Sequence, residues 1–187
     1  MKLHLYNSYK REKESFEPIK DGYVGLYTCG PTVYDYAHIG NFRTFIFEDL
    51  LKRWLIHLGY DVKHIMNITD VDDKTIKKAN DESVALNIIT DRYTSCFMED
   101  LKWLKMIPAD EFPRATDYID KMISMIQTLL DKNFAYKDND GSVYFDINSF
   151  QEYGCLTNLN IKGQKQTKRI NDDEYEKDSP QDFALWK

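Results

Sequence analysis

The residues best suited to chemistry lie in one short segment, residues 29–41 (CGPTVYDYAHIGN), which contains a thiol at Cys29 and an imidazole at His38. A helical pattern of apolar residues begins at about Asn41, so this segment leads into a helix N-terminus. Free backbone N–H groups and the positive end of the helix dipole favour phosphate there. His38 could donate a hydrogen bond to phosphate oxygens, and Gly40 would let a flat ligand ring lie against the backbone.

The same residues also have a purely structural interpretation. His38 can pack at the start of the helix, and Gly40 can serve the turn alone. For an isolated His-Ile-Gly tripeptide this structural interpretation is the commoner one. The strand–turn–helix context brings the binding interpretation to equal standing, and the residues alone leave both open.

The flanking pattern predicts the elements that must position this segment. Residues 23–29 are β-branched and aromatic and are followed by Gly-Pro, which is typical of a buried strand. A helix is predicted from about Asn41 to a cap at Gly59, and a second strand over residues 62–68. Strand, helix and strand in this order form a βαβ unit with parallel strands and a right-handed crossover. The fold class is therefore α/β, with ligands expected at the carboxyl ends of the strands.

Further elements follow the βαβ unit. Apolar residues recur at helical spacing over residues 83–105 and 116–132, and Thr116 is the predicted N-cap of the second helix. Residues 134–146 carry a hairpin pattern around an Asp-Asn-Asp-Gly turn. Residues 148–179 are polar and aperiodic, which favours an irregular excursion.

Composition excludes several classes of protein. The 187 residues are 42% hydrophobic and 30% charged, which is typical of a folded domain. No apolar run reaches the roughly 18 residues of a membrane span, and the N-terminus has no signal-peptide pattern. Three separated cysteines indicate thiols in a reducing compartment. The net charge of −6 does not attract a polyanion, so a nucleic-acid partner would need a local basic patch or a further domain. The chain ends on an apolar segment with no partner after it, from which we expect a longer parent chain.

Two motifs, residues 29–41 and residues 67–74 (NITDVDDK), closely resemble the amino-terminal part of cysteinyl-tRNA synthetases. These are class I enzymes with a His-Ile-Gly-His signature. Further matches are PRAT, GSVYFD and the terminal DFALWK, so the resemblance covers essentially the whole chain. It implies a Rossmann-like parallel sheet of the nucleotidyl-transferase type. It also implies the first half of the catalytic domain in residues 1–110 and part of an α+β connective-peptide insertion in residues 111–187.

The resemblance also implies roles for individual residues. Cys29 matches a zinc ligand, and the family's zinc binds the thiolate of the substrate, which a serine hydroxyl cannot imitate well. The implied cysteine-binding residues are Cys29, Gly30, Thr32 and Thr69. The implied ATP-binding residues are Thr32, His38, Gly40 and Asn41, of which His38 and Asn41 are the catalytic candidates. The structural alternatives are a buried, apolar Cys29 and threonines that serve turns and caps.

The chain departs from the family pattern in two respects. Asn41 stands where the signature has its second histidine, so it can donate a hydrogen bond but carries no positive charge. We therefore expect weaker stabilisation of ATP or a charge supplied from elsewhere. The other zinc ligands, the Lys-Met-Ser-Lys-Ser loop and the anticodon-binding region of the family have no counterpart in these residues. The chain alone is expected to be inactive.

Other polar residues receive structural assignments. Three aspartates could suggest a magnesium cluster, but helix capping and salt bridges to nearby lysines are favoured. The aspartates are Asp70, Asp72 and Asp73, and the lysines are Lys74, Lys77 and Lys78. No role is assigned to Cys96 or Cys155, and His57 and His64 are predicted to be structural or solvent-facing.

The predicted function is that of a cysteine–tRNA ligase, which activates L-cysteine with ATP and transfers it to tRNA(Cys). The expected cofactors are Zn²⁺ and the Mg²⁺ that accompanies ATP. The parent is expected to be a cytoplasmic monomer without a membrane partner. One alternative is a related ligase that transfers activated cysteine to an amino-sugar. Another is a non-catalytic module that keeps the nucleotide-binding fold.

Overall fold

The computed structural model describes residues 2–156 and 182–187. These form two compact units, one of residues 17–119 and one of residues 2–16 with residues 120–156 and 182–187. The strands are β1 (His4–Asn7), β2 (Glu12–Ser15), β3 (Tyr23–Thr28), β4 (Asp61–Met66), β5 (Ala135–Lys137), β6 (Val143–Phe145) and β7 (Phe183–Trp186). The helices are α1 (Ile39–His57), α2 (Asp73–Asp81), α3 (Leu86–Trp103) and α4 (Ile119–Asp131).

The predicted βαβ unit is confirmed in the first unit. Strands β3 and β4 pair in parallel, from Tyr23 opposite Asp61 to Thr28 opposite Met66, with α1 as the connection. Helix α1 begins two residues earlier than predicted, because His38 rather than a later residue caps it. It ends before Gly59, whose φ of +90° suits the glycine predicted there. The parallel pairing brings the carboxyl ends of both strands to one edge.

An aromatic core fixes α1 beneath that edge. Phe42 and Phe45 of α1 lie against Phe97 of α3, with ring centroids 6.2 and 5.1 Å from the Phe97 ring. The predicted apolar face of α3 is buried at Ile89, Tyr93, Phe97 and Leu101. Val33 and Met66, near the ends of the strands, belong to the same buried cluster, so this packing holds the start of α1 at the strand ends.

The prediction that Thr116 caps the next helix is wrong. A short 3₁₀ turn, Ala115–Tyr118, precedes α4, and Arg114 occupies the position before that turn. Thr116 instead donates from its backbone N–H (3.0 Å) and its hydroxyl (2.6 Å) to the carboxylate of Asp70. A buried carboxylate needs donors, and it takes Thr116 as a partner. None of the residues of α4 is buried within the described part of the chain.

The second unit contains the predicted hairpin. Strands β5 and β6 pair antiparallel, and the turn between them includes Gly141 with a φ of +91°. Strand β7 pairs antiparallel with β6, so the apolar end of the chain has a partner earlier in the sequence. Strands β1 and β2 form an antiparallel pair that was not predicted. Most of the irregular excursion predicted over residues 148–179 lies outside the described residues.

None of the helices in the described part of the chain combines the length and apolar character that a membrane span requires.

Candidate active site

The segments that follow β3 and β4 lie side by side. Thr32 and Thr69 form a parallel bridge beyond the ends of the strands. The N–H of Thr69 donates to the carbonyl of Pro31 (3.0 Å), and the N–H of Val33 donates to the carbonyl of Thr69 (3.1 Å). The two threonines that the resemblance places in the amino-acid pocket are therefore neighbours, although 37 positions separate them in the sequence.

Asn67 ties these segments together through its side chain. Its Oδ1 accepts hydrogen bonds from the N–H of Gly30 (3.2 Å) and from the hydroxyl of Tyr27 (3.1 Å). Its Nδ2 donates to Oγ1 of Thr69 (3.1 Å). One amide thus orients both the backbone after Cys29 and the Thr69 hydroxyl. The sequence pattern did not assign Asn67 a role. Asn67 is a polar residue directly after a strand, at the same sheet edge as Cys29, and this position could have indicated a role in the site.

Gly30 is required by a close approach of two backbones. A Cβ at this position would fall far inside van der Waals contact with the carbonyl oxygen of Asn67. No side chain can move aside to relieve such a contact, because the obstacle is backbone. The structure therefore explains this glycine by packing, while its backbone N–H is held by the Asn67 side chain.

His38 is the N-cap of α1, and this role selects its tautomer. Its Nδ1 accepts a hydrogen bond from the N–H of Gly40 (3.0 Å). In the neutral imidazole the proton must then be on Nε2, which makes Nε2 the donor. The side chain is exposed. The structural and the binding interpretations of His38 are therefore compatible, since the cap uses one ring nitrogen and leaves the other as a donor.

Gly40 and Asn41 complete this helix start. Oδ1 of Asn41 accepts from the N–H of His38 (3.0 Å), which closes a capping box. The amide NH₂ of Asn41 is left as its donor group. A Cβ at Gly40 would lie 2.8 Å from the His38 ring, so the missing side chain keeps room for that ring.

A cavity of about 350 Å³ lies between these segments. Gly30, Thr32, His38 and Asn41 line it, whereas Cys29, Gly40 and Thr69 are not among its lining residues. Lys74, from the first turn of α2, also lines it and places its Nζ 5.3 Å from the centroid of the Tyr34 ring. Sequence reasoning considered Lys74 only as a salt-bridge partner and did not consider Tyr34.

Cys29 is exposed, so the alternative of a buried, apolar cysteine is wrong. It directly follows β3 at the sheet edge. Within residues 2–156 and 182–187, no three side chains of the metal-binding types are grouped to hold an ion. A thiolate is a suitable zinc ligand, but zinc takes four ligands. The described residues alone therefore do not form a zinc site.

Thr28, the last residue of β3, contacts two titratable side chains, His64 and Glu48. Oγ1 of Thr28 and Nε2 of His64 are 2.9 Å apart, and His64 is 2% exposed. Burial lowers the pKa of His64, and the nearby Lys52 ammonium lowers it further. Burial raises the pKa of Glu48 on α1, and a hydrogen bond with Thr28 only partly opposes this. Oε2 of Glu48 and Nδ1 of His64 have no hydrogen-bond partner among the described residues. His64 is thus structural, as one of its two predicted alternatives stated.

Of the three aspartates of the second motif, Asp72 has the favoured capping role, and Asp73 is the first residue of α2. Asp72 caps α2 by accepting from the N–H of Lys74 (2.9 Å), and Asp70 accepts from Thr116. Among the ion pairs of the described residues, the α2 lysines have partners other than Asp70 and Asp72. Lys77 pairs with Asp81 and Lys78 with Glu82, one turn further along the helix.

The fold is that of class I aminoacyl-tRNA synthetases. A solved structure, the LeuRS–tRNA–LeuAMS ternary complex of Agrobacterium radiobacter K84, matches 71% of this chain and 17% of that chain. The TM-score is 0.56 and the sequence identity 20%, so this match establishes the fold alone. The expected Rossmann-like α/β architecture is thereby confirmed.

The chain belongs to the family described as tRNA synthetases class I (C) catalytic domain, whose model matches residues 15–187. Similar proteins named cysteine–tRNA ligase include those of Chlamydia muridarum (54% identity), Chlamydia trachomatis serovar D (54%) and Protochlamydia amoebophila (51%). Each alignment covers 99–100% of this chain and 39% of the relative. The chain therefore spans about two fifths of the length of these relatives.

Proposed function

We propose that this chain forms the ATP- and cysteine-binding part of a cysteine–tRNA ligase, which joins cysteine to AMP and then transfers it to tRNA(Cys). The observation that carries the proposal is the cavity at the carboxyl edge of the parallel strands. Gly30 and Thr32, the proposed amino-acid side, line it together with His38 and Asn41, the proposed nucleotide side. This is the arrangement needed to bring a carboxylate and a phosphate into contact.

The proposed chemistry is the attack of the cysteine carboxylate on the α-phosphorus of ATP. A bond forms between a carboxylate oxygen of cysteine and the α-phosphorus. The bond between the α-phosphorus and the oxygen that bridges to the β-phosphate breaks, and pyrophosphate leaves with the electron pair. His38 would donate from Nε2 to phosphate oxygens, and the free amide NH₂ of Asn41 would donate beside it. The N-terminus of α1 adds its dipole. These groups stabilise charge without exchanging a proton, so their contribution depends on being held in place.

On the amino-acid side, cysteine would be oriented by the hydroxyl of Thr32, which lines the cavity, and by that of Thr69, which lies beside Thr32. The Thr69 hydroxyl accepts from the Asn67 amide, so its own proton remains for a ligand. Asn67 thereby acts as a positioning residue for this side of the cavity.

Cys29 is proposed as one zinc ligand, with the remaining ligands supplied from outside the described residues. Zinc would hold the substrate thiolate, and Mg²⁺ would accompany ATP. We further propose that residues 1–110 belong to the catalytic domain and residues 111–187 to the connective-peptide insertion. The parent would be a cytoplasmic monomer.

The test is cysteine-dependent exchange of pyrophosphate into ATP by the complete ligase of which this chain is part. Exchange is expected with cysteine and not with serine. Labelled cysteine should then appear on tRNA(Cys) and not on an amino-sugar, because the similar proteins are named for tRNA. Exchange with transfer to the sugar would identify the alternative ligase. Absence of exchange would favour a module that binds nucleotide without chemistry.

A further inference from the structure

Three lysines lie on α2, and one of them differs from the others in its electrostatic partners. Lys77 pairs with Asp81 at 2.7 Å and Lys78 with Glu82 at 3.4 Å, each four residues along the helix. The residue four positions after Lys74 is Lys78, a like charge. Among the ion pairs of the described residues, none involves Lys74.

The position of Lys74 is unfavourable for the helix itself. Asp72 is the N-cap of α2, so Lys74 is the second helical residue. A positive charge there opposes the helix dipole, and the like-charged Lys78 one turn away adds repulsion. Helix stability therefore does not explain a lysine at this position.

The side chain of Lys74 lines the cavity already described. Lys74 is the only lysine or arginine among the described residues that line it. Its ammonium lies over the face of Tyr34, another lining residue, at 5.3 Å from the ring centroid. A cation–π contact of this kind holds the ammonium at the cavity without neutralising it. The lining carboxylate, Asp35, accepts from the N–H of Tyr36 at 2.8 Å.

We infer that Lys74 binds an anionic oxygen of the substrates in this cavity. The inference rests on the proposed function, which supplies two such groups, the α-phosphate of ATP and the carboxylate of cysteine. In either case Lys74 provides the positive charge that Asn41 cannot. Tyr34 is then the residue that positions the ammonium.

The experiment compares Lys74→Met, Lys74→Arg and Lys77→Met in the complete ligase by cysteine-dependent pyrophosphate exchange. KM and kcat are measured separately for ATP and for cysteine. Lys74→Met is expected to lower kcat/KM by about 10- to 100-fold, the loss typical of a charged hydrogen bond. A loss confined to ATP identifies the phosphate, and a loss confined to cysteine identifies the carboxylate. Lys74→Arg should recover most of the activity, because it restores the charge.

Lys77→Met is the matched control, since Lys77 lies on the same helix and its side chain is 75% exposed. It should stay within about twofold of the wild type, as expected for an isolated surface pair. Lys74→Met equal to Lys77→Met would overturn the inference while leaving the proposed function intact. Equal losses in Lys74→Met and Lys74→Arg, with a lowered Tm in both, would also overturn it by indicating a structural role. A wild-type ligase without exchange would overturn the proposed function and this inference together.

Discussion

Gly30 and Asn67 make the tightest approach at the ends of the parallel strands. The Gly30 N–H donates to the Asn67 side chain, and there is no room for a Cβ beside the Asn67 carbonyl. Because Cys29 precedes this contact directly, any displacement of Gly30 also moves the thiol. At the scale of single residues, the site therefore depends on packing as much as on the groups that would touch a ligand.

Gly30→Ala is accordingly expected to destabilise the chain by at least about 2 kcal/mol, because two backbone segments must separate to admit one methyl group. Gly25→Ala is the matched control. Gly25 lies in β3, and a Cβ there would meet nothing within 4 Å. Urea unfolding of both variants measures the difference. Equal stability of the two variants would show that the approach of Gly30 to Asn67 is not as close as described.

Glu48 links two elements, because it lies on α1 and faces Thr28 of β3. Its raised pKa means that the folded state takes up a proton more readily than the unfolded state. The charged carboxylate therefore opposes folding once the pH exceeds the folded-state pKa, and the stability gained from protonation is lost as the pH rises.

Glu48→Gln is expected to raise Tm at pH 7–8, with the gain shrinking as the pH falls toward 4.5, the ordinary pKa of the group. Glu99→Gln, an exposed change on α3, removes the same formal charge and serves as the control. Thermal unfolding across this pH range separates the two. A gain for Glu48→Gln that is the same at all pH values would contradict the assigned cause.

At the scale of elements, some helix starts are fixed by partners close in sequence and others by partners far away in sequence. Only starts of the first kind can be predicted from the sequence. The start of α1 agrees with its prediction within two residues, because His38–Asn41 form a capping box within four residues of sequence, as Asp72–Thr75 do at the start of α2. The start of α4 was misplaced because the partner of Thr116 is Asp70, 46 positions away. Parallel pairing of β3 with β4 followed from the βαβ pattern, whereas the link of Asn67 to Gly30, 37 positions apart, did not.

The Asp70–Thr116 contact should be measurable as stability. Thr116→Val keeps the shape of the side chain but removes its donor to a carboxylate that is 2% exposed. A loss of about 1–3 kcal/mol is expected, since a buried acceptor loses a hydrogen bond. Thr116→Ser, which keeps the hydroxyl, should recover most of the loss. If Val and Ser variants unfold at the same denaturant concentration, the hydroxyl contributes nothing and the contact is incidental.

At the scale of the whole molecule, the net charge disfavours anions, whereas the cavity contains groups that attract them. The chain carries a net charge of −6, which disfavours anions in general. The cavity offers anions the N-terminus of α1, the His38 donor and the Lys74 ammonium. Nucleotide binding is therefore predicted to be local to this cavity. The second unit contains a separate apolar cavity of about 290 Å³, lined by residues such as Ile126 and Trp186, where a nucleotide is not expected.

The most direct test is NMR mapping of ATP binding to the 187-residue chain, using backbone amide shifts at millimolar nucleotide. The largest shifts are expected at Thr32, at residues 38–41 and at Lys74, with weak overall affinity. His38→Ala should weaken binding by about tenfold, because it removes the Nε2 donor. Shifts concentrated in residues 120–156, or an affinity unchanged by His38→Ala, would contradict the assignment of this cavity as the nucleotide site.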